Sequence, residues 1–184
     1  MFGVGRVDGN GNLDTAFGNG GYSLTEFGRR PSEGVDMGAS NVAPRLDGYI
    51  AGGAAPTALG FVGFTAAGQL DPAFGQGGKL ALDPDPPNDP IVLSRLVPLG
   101  GGRTLAVCFT FAERSGKPTR GILVVIRADG TLDPSFGSRG NVVLTGRKLG
   151  IEAIDSLTRR SGSPTARSSC LEAPTAHSTT TSAC

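Results

Sequence analysis

A six-residue signature that occurs three times constrains this chain more than any other feature of its sequence. The copies are residues 13–18 (LDTAFG), 70–75 (LDPAFG) and 132–137 (LDPSFG), and their leucines lie 57 and 62 residues apart. Recurrence at a spacing of this size indicates a repeat architecture, in which each unit buries its apolar surface against its neighbours. The sequence therefore predicts successive copies of one structural unit.

The residue types of the signature predict one capped helical turn in each copy. The aspartate suits an N-cap because its carboxylate can accept a backbone N–H two or three residues on. Pro72 and Pro134 suit the first helical position, and a final glycine suits the left-handed backbone that ends a turn. Leucine and phenylalanine stand four apart on one face, so both are predicted to insert into a core. The predicted structural residues are Leu13, Asp14, Phe17, Gly18, Leu70, Asp71, Phe74, Gly75, Leu132, Asp133, Phe136 and Gly137.

Short apolar runs separated by glycine-rich turns predict that the chain is all-β. It contains 30 glycines and 13 prolines in 184 residues, which fits many turns better than helices. Asp47-Gly48 stands between two apolar runs, the strongest short-range signal of a hairpin, and residues 100–103 take its place in the second unit. The predicted units are residues 2–58, 59–120 and, incomplete, 121–160.

Each unit offers four short strands, which is typical of a blade of a β-propeller. The predicted fold is therefore a partial β-propeller of about two and a half to three four-stranded antiparallel blades. An open β-sandwich is the alternative, although it would not require a fixed period. Propellers need about four blades to close, so the unpaired blade edges are expected to favour self-association.

The extended pattern DG-x-LD-x-x-FG-x-x-G matches residues 129–140 throughout, and residues 10–21 and 67–78 with one position altered. This pattern resembles the delta-60 repeat, a bacterial repeat regarded as forming β-propeller blades. The resemblance covers about residues 2–160. It implies a fold but no activity, and it implies a secreted or cell-surface location because many members of the family are of that kind.

From Ser161 onward the strand pattern gives way to Ser, Thr, Ala and Pro. The composition predicts a disordered polar tail over residues 161–184. The alternative is translation out of frame after Arg160, since a shifted frame can encode the Asp-Gly turn, the aliphatic strand and the Phe-Gly-Val opening that the repeat requires next. Met1 is likewise expected to be internal to a longer frame, which makes the chain a fragment of a larger bacterial protein.

Charge and hydropathy exclude two classes of partner. The formal net charge is +1, with no basic patch of the kind that binds nucleic acid. No apolar run approaches the roughly 20 residues that span a bilayer, so no membrane span is predicted. Met1 leads directly into Phe2-Gly3-Val4 without a basic or long apolar region, so no signal peptide is predicted.

The sequence offers no convincing set of catalytic or metal-binding residues. Oxygen-bearing side chains alternate over residues 8–14 as in an EF-hand loop, but Leu13 replaces its glycine and Asn19 its glutamate. A plain turn is predicted there, and a solvated loop for the acidic, proline-rich residues 83–90. The single histidine, His177, lies in the tail, so a nucleophile would have no base. We expect no catalytic residue, no cofactor and no metal.

The favoured function is a non-catalytic structural or protein-interaction scaffold within a larger protein, with an unidentified protein or glycan as partner. One alternative is a propeller module that binds a glycan or a peptide; exposed aromatic side chains at matching positions would favour it, but the chain has no Trp and two Tyr. Another is a fragment of a propeller hydrolase or lyase whose catalytic residues lie elsewhere.

Overall fold

The computed structural model describes residues 1–27, 38–55, 59–82, 91–110 and 120–145, and over these ranges the chain is all-β, as predicted. The only helical element among them is a short 3-10 turn, Gly100–Gly102, so none of the described segments is a helix that could cross a membrane. The strands are β1 (Phe2–Gly5), β2 (Tyr22–Thr25), β3 (Gly38–Arg45), β4 (Gly48–Ala54), β5 (Leu59–Thr65), β6 (Lys79–Leu82), β7 (Ile91–Pro98), β8 (Thr104–Thr110), β9 (Arg120–Ile126) and β10 (Asn141–Leu144).

The strands form three antiparallel sheets in which chain neighbours are also sheet neighbours. The first sheet is β1–β2, the second is β3 to β6, and the third is β7 to β10. A signature loop joins the last two strands of each sheet. The two four-stranded sheets therefore run across the predicted unit boundaries: the boundary at 58/59 separates β4 from β5, and the boundary at 120/121 falls after the first residue of β9.

Both predicted hairpins are present. Leu46 and Asp47 form the turn between β3 and β4, and Gly48 already belongs to β4, where it pairs with Arg45. A Cβ at Gly48 would collide with the carbonyl of Phe64 on the neighbouring strand, so this position requires glycine. In the second hairpin, the turn Gly100–Gly102 joins β7 to its antiparallel neighbour β8.

The second and third sheets share an irregularity in their first strands. The pairing register shifts between Ala39 and Asn41 in β3 and between Leu93 and Arg95 in β7. A serine, Ser40 or Ser94, occupies the shifted position in each strand. Because β-bulges are specific features of a fold rather than random defects, their recurrence marks the two sheets as copies of one structural unit.

The sheets stack face to face and bury two layers of apolar side chains. The layer between the first and second sheets contains Phe2, Ala51, Val62 and Phe64. The layer between the second and third sheets contains Ala43, Ile50, Leu59, Phe61, Phe74, Leu93, Leu96, Ala106, Cys108, Ile122, Val124 and Ile126. β5 contributes to both layers, and a strand that is buried on both faces needs the continuous apolar sequence that β5 has.

The signature loops are not helical turns, and this prediction is wrong. In each loop the phenylalanine N–H donates to the aspartate carbonyl three residues back, at 3.0 Å for Phe17, 3.1 Å for Phe74 and 3.0 Å for Phe136. This is a single β-turn, because the loop must reverse the chain between two antiparallel strands and cannot continue as a helix.

In the first two copies the leucine consequently does not share a buried face with the phenylalanine, whereas Leu132 of the third copy is half-buried and packs against the core between the second and third sheets. Phe17 and Phe74 are 2% and 0% exposed, whereas Leu13 and Leu70 are 50% and 37% exposed. Each leucine instead covers a later glycine of its loop; a Cβ on Gly78, for example, would lie 2.5 Å from Leu70.

Several predictions concern residues outside the described ranges. They include the acidic loop at 83–90, the end of the third unit at 146–160 and the tail at 161–184.

Candidate functional site: the joint between sheets

The turn that precedes each signature loop has the same geometry in all three copies, and we call it the docking turn (residues 8–12, 65–69 and 127–131). Its first N–H donates to the carbonyl of its last residue at 2.8 Å in every copy. Its glycine has φ of 84° at Gly11, 81° at Gly68 and 78° at Gly130, in the left-handed region. The three docking turns are therefore equivalent building blocks.

The signature β-turn is also the same in each copy, and we call its aspartate, phenylalanine and glycine the socket. The glycine has φ of 58° at Gly18, 56° at Gly75 and 59° at Gly137. The aspartate carboxylate accepts the backbone N–H two residues on, at 3.1 Å from Asp14, 3.0 Å from Asp71 and 3.1 Å from Asp133. This is the capping hydrogen bond expected of the aspartate, made here within a β-turn.

Each of the first two sockets holds the docking turn of the next sheet. The Gly18 N–H donates to the Ala67 carbonyl at 2.7 Å, which joins the first sheet to the second. A Cβ on Gly68 would lie 2.7 Å from the Phe17 ring and 2.8 Å from the Gly18 nitrogen. The docking turn therefore needs glycine both for its φ and for this close approach.

The second joint repeats the backbone hydrogen bond and the glycine fit of the first joint. The Gly75 N–H donates to the Asp129 carbonyl at 2.7 Å. A Cβ on Gly130 would collide with the Gly75 nitrogen and lie 3.0 Å from the Phe74 ring. Two independent copies of one contact indicate that it belongs to the repeat itself.

An arginine spans each of these two joints. Arg6 donates from Nε to the Asp14 carboxylate at 2.8 Å and from Nη1 to the Ala66 carbonyl at 3.1 Å, while its guanidinium carbon lies 4.8 Å from the centroid of Phe17. Its cation thus contacts the socket, the next docking turn and the buried ring at once. The hydrogen bond to Tyr49, followed by Asp14, raises the pKa of Arg6.

Arg45 makes the equivalent contacts in the second joint. It donates to the Asp71 carboxylate and to the Ala128 carbonyl, and its guanidinium carbon lies 5.3 Å from the centroid of Phe74. The hydrogen bond from Arg45 holds the pKa of Asp71 below its ordinary value.

The two arginines come from different strands. Arg6 directly follows β1, whereas the corresponding position in the second sheet is Gly63, where a Cβ would lie 2.5 Å from Phe74. The second sheet therefore supplies Arg45 from the end of β3. Sequence reasoning missed both arginines because they have no common offset from the aspartate that they bind.

The third socket has no docking turn among the described residues. The Gly137 N–H has no acceptor there, and Phe136 is half-buried, unlike Phe17 and Phe74. Arg103 and Arg127 lie 3.4 Å and 3.3 Å from the Asp133 carboxylate, with side chains 47% and 44% exposed. Hydrogen bonds from Ser135, then from Arg103, together with the charge of Arg127, lower the pKa of Asp133 to about 2.

A cleft of about 320 Å³ lies between the first and second sheets. Small side chains create it: Val4 and Ala39 occupy the positions that Phe61 and Leu93 take in the layer between the second and third sheets. Polar groups of Arg6, Asn41 and Tyr49 also line the cleft. The first joint thus leaves open a space that Phe61 and Leu93 fill at the equivalent positions of the second joint.

The remaining candidates for chemistry are structural. Asp8 accepts the N–H groups of Asn12 and Asn10 at 2.9 Å each, and these hydrogen bonds lower the pKa of Asp8. They form the turn expected at residues 8–12. Cys108 is buried, and burial raises the pKa of its thiol to about 12. Within the described part of the chain, no three His, Cys, Asp or Glu side chains are grouped as metal ligands would be.

The two joints therefore use the aspartate, phenylalanine and glycine of the first two signatures and leave Leu13 and Leu70 outside. No protein family, no curated protein and no solved structure matches this chain.

Proposed function

We propose that this chain is a delta-60-like repeat segment of a β-propeller that serves as a non-catalytic structural or protein-interaction scaffold. The observation that supports the proposal is the joint, which recurs with the same hydrogen bond, the same glycine fit and the same arginine contacts. A repeated contact of constant geometry is what stacks sheets around an axis in a propeller. The larger bacterial protein and the secreted or cell-surface location implied by the resemblance are part of this proposal.

The contacts of one joint are strong enough to couple neighbouring sheets. Burial of one phenylalanine contributes about 1.5–3 kcal/mol, and one backbone hydrogen bond adds about 1 kcal/mol. We assign no net stability to the arginine–aspartate pair, because the desolvation of such a pair offsets much of its attraction. In a repeat protein, interface energies of this size make adjacent units unfold together, as a rigid scaffold requires.

The scaffold proposal is tested by following the second and third sheets separately during urea unfolding. Tyr22→Phe leaves Tyr49 as the only tyrosine, in a chain without tryptophan, so its fluorescence reports on β4 in the second sheet. Cys108, with the other two cysteines replaced by serine, reports on β8 through thiol labelling. We expect the two transitions to coincide because the joint couples the sheets.

Gly130→Ala should separate the two transitions, since its Cβ would strike Gly75 and Phe74. Gly77→Ala is the matched control, because Gly77 has a similar positive φ and no atom within 4 Å of its Cβ position. Transitions that already differ in the parent chain would show that the sheets are independent, and the scaffold proposal would then fail.

The cleft favours a second candidate function, the binding of a small polar ligand such as a glycan. Its arginine, asparagine and tyrosine side chains are the kinds of group that orient a polar ligand in a pocket. Titration with a panel of oligosaccharides, followed by amide chemical shifts, tests this function. Ala39→Leu should abolish binding, because it introduces the side chain that fills the equivalent space at Leu93. Shifts that are the same in Ala39→Leu would rule out the cleft as the site.

A further inference from the structure

We propose that the uncovered docking turn of one copy of this chain inserts into the third socket of a second copy, so that the chains associate head to tail. The inference rests on the proposed function, because it extends the joint within the chain to a joint between chains. Its occupant is a second copy because the part of the chain that the structure describes contains both halves of a joint, and none of the described residues fills either half.

The first half is the docking turn at residues 8–12. It has the hydrogen bond and the glycine φ of the two turns that are already seated. Among the described residues, however, no atom lies within 4 Å of a Cβ built on Gly11, whereas Gly68 and Gly130 are in close contact with sockets. This turn has the shape for docking and an open surface.

The second half is the third socket. Its β-turn has the geometry of the two filled sockets, and its Gly137 N–H and half-buried Phe136 ring are the groups that bind a docking turn elsewhere. Arg103 and Arg127 are about half exposed beside Asp133. Either guanidinium could donate to the Gly9 carbonyl of the second copy, as Arg6 does to Ala66 and Arg45 to Ala128.

The sheet faces next to these two halves are both apolar. On the first sheet, Val7 and Leu24 are about 60% exposed, at 61% and 59%. On the third sheet, Ala106 and Cys108 face the core, so the alternating Leu105 and Val107 lie on the opposite face, where they are half-buried. Docking of the turn would bring these faces together as the other sheets are brought together.

The contact is heterologous, since it joins two different surfaces of identical chains. Such contacts generate rings where the rotation closes and open chains where it does not. A symmetric dimer in which the same surface meets itself would not use the joint.

The variant Gly11→Asn tests the proposal by sedimentation velocity over a series of concentrations. Asparagine tolerates positive φ better than most residues, and its side chain would overlap Phe136 and Gly137 of the partner copy. We expect association to weaken by at least about tenfold. Gly20→Asn is the control: Gly20 has φ of 68°, no atom lies within 4 Å of its Cβ position, and the third copy has Arg139 there at φ of 54°. This control should associate like the parent chain.

A mixing experiment identifies the two surfaces. Phe136→Ala weakens the socket and leaves the docking turn intact, whereas Gly11→Asn does the reverse. Each variant alone should remain monomeric at concentrations where the parent associates, and an equimolar mixture should form a complex with one copy of each. A parent chain that stays monomeric, variants that associate like the parent, or a mixture that stays monomeric would overturn the proposal. The urea experiment above concerns joints within one chain, so its outcome is independent of this one.

Discussion

Phe74→Ala measures how much one joint contributes to folding. Phe74 is fully buried, its ring lies 5.3 Å from the guanidinium carbon of Arg45, and the missing side chains of Gly63 and Gly130 leave room for it. Truncation of a fully buried phenylalanine costs about 3–5 kcal/mol in the free energy of unfolding. The cost should reach this range because the backbone of the joint cannot move into the cavity without breaking the bond from Gly75 to Asp129.

Phe136→Ala is the matched control, since it removes the same side chain from the equivalent β-turn of the third copy, where none of the described residues forms a seated docking turn. We expect a loss below about 1.5 kcal/mol, because a half-buried ring gains roughly half of the burial energy of a buried one. Urea unfolding followed by far-ultraviolet circular dichroism measures both values at low protein concentration, with unchanged m-values as the check on two-state behaviour. Equal losses for the two variants would refute the assignment of Phe74 to an energetically important joint.

Three further outcomes follow from the same geometry. Gly68→Ala should lower the free energy of unfolding by at least about 1 kcal/mol more than Gly77→Ala does. Both substitutions add strain at positive φ, but only the Cβ at position 68 strikes Phe17. Equal losses in urea unfolding would contradict the close fit of Gly68 against Phe17. Because the pKa of Asp133 is lowered from 3.8 to about 2 in the folded chain, its contribution to stability is present above about pH 4 and is lost as the pH falls toward 2. Asp133→Asn should therefore flatten the fall in melting temperature over that range, and an unchanged slope would be the contrary result. In a variant whose other two cysteines are replaced by serine, Cys108 should resist a thiol reagent in the folded chain and react fully in urea. The reason is that Cys108 is buried and that its thiol pKa is about 12. Rapid labelling without denaturant would count against its place in the core.

The part of the joint that could be predicted from sequence is the part that is local. Asp71 and Gly75 have roles set by neighbouring backbone atoms, a carboxylate that accepts a nearby N–H and a glycine with positive φ, and such roles follow from residue type and spacing. The buried phenylalanine also follows from its repetition. These roles are present in the structure, although the sequence predicts a helical turn at this place and the structure has a β-turn.

The rest depends on contacts between distant parts of the chain. A helical turn and a β-turn begin alike at Asp14, and only the need to return the chain from β1 to β2 decides between them. The helical spacing predicts that Leu13 lies in the core, and its exposure follows from the β-turn.

The arginines that span the joints illustrate the same limit. Arg6 is eight residues from its aspartate and Arg45 is 26, because Arg6 follows β1 and Arg45 ends β3. Tertiary structure determines which strand end reaches the socket, and Gly63 excludes a side chain at the position that Arg6 holds. No periodic signal in the sequence marks either residue.

The most direct test of the account is amide hydrogen exchange at the three socket glycines, measured by NMR in the Gly11→Asn variant to exclude contacts between chains. The Gly18 and Gly75 N–H groups are bonded to the next sheet, whereas the Gly137 N–H has no acceptor among the described residues. We expect strong protection at Gly18 and Gly75 and fast exchange at Gly137. Equal exchange at all three glycines would contradict the joint on which the whole account depends.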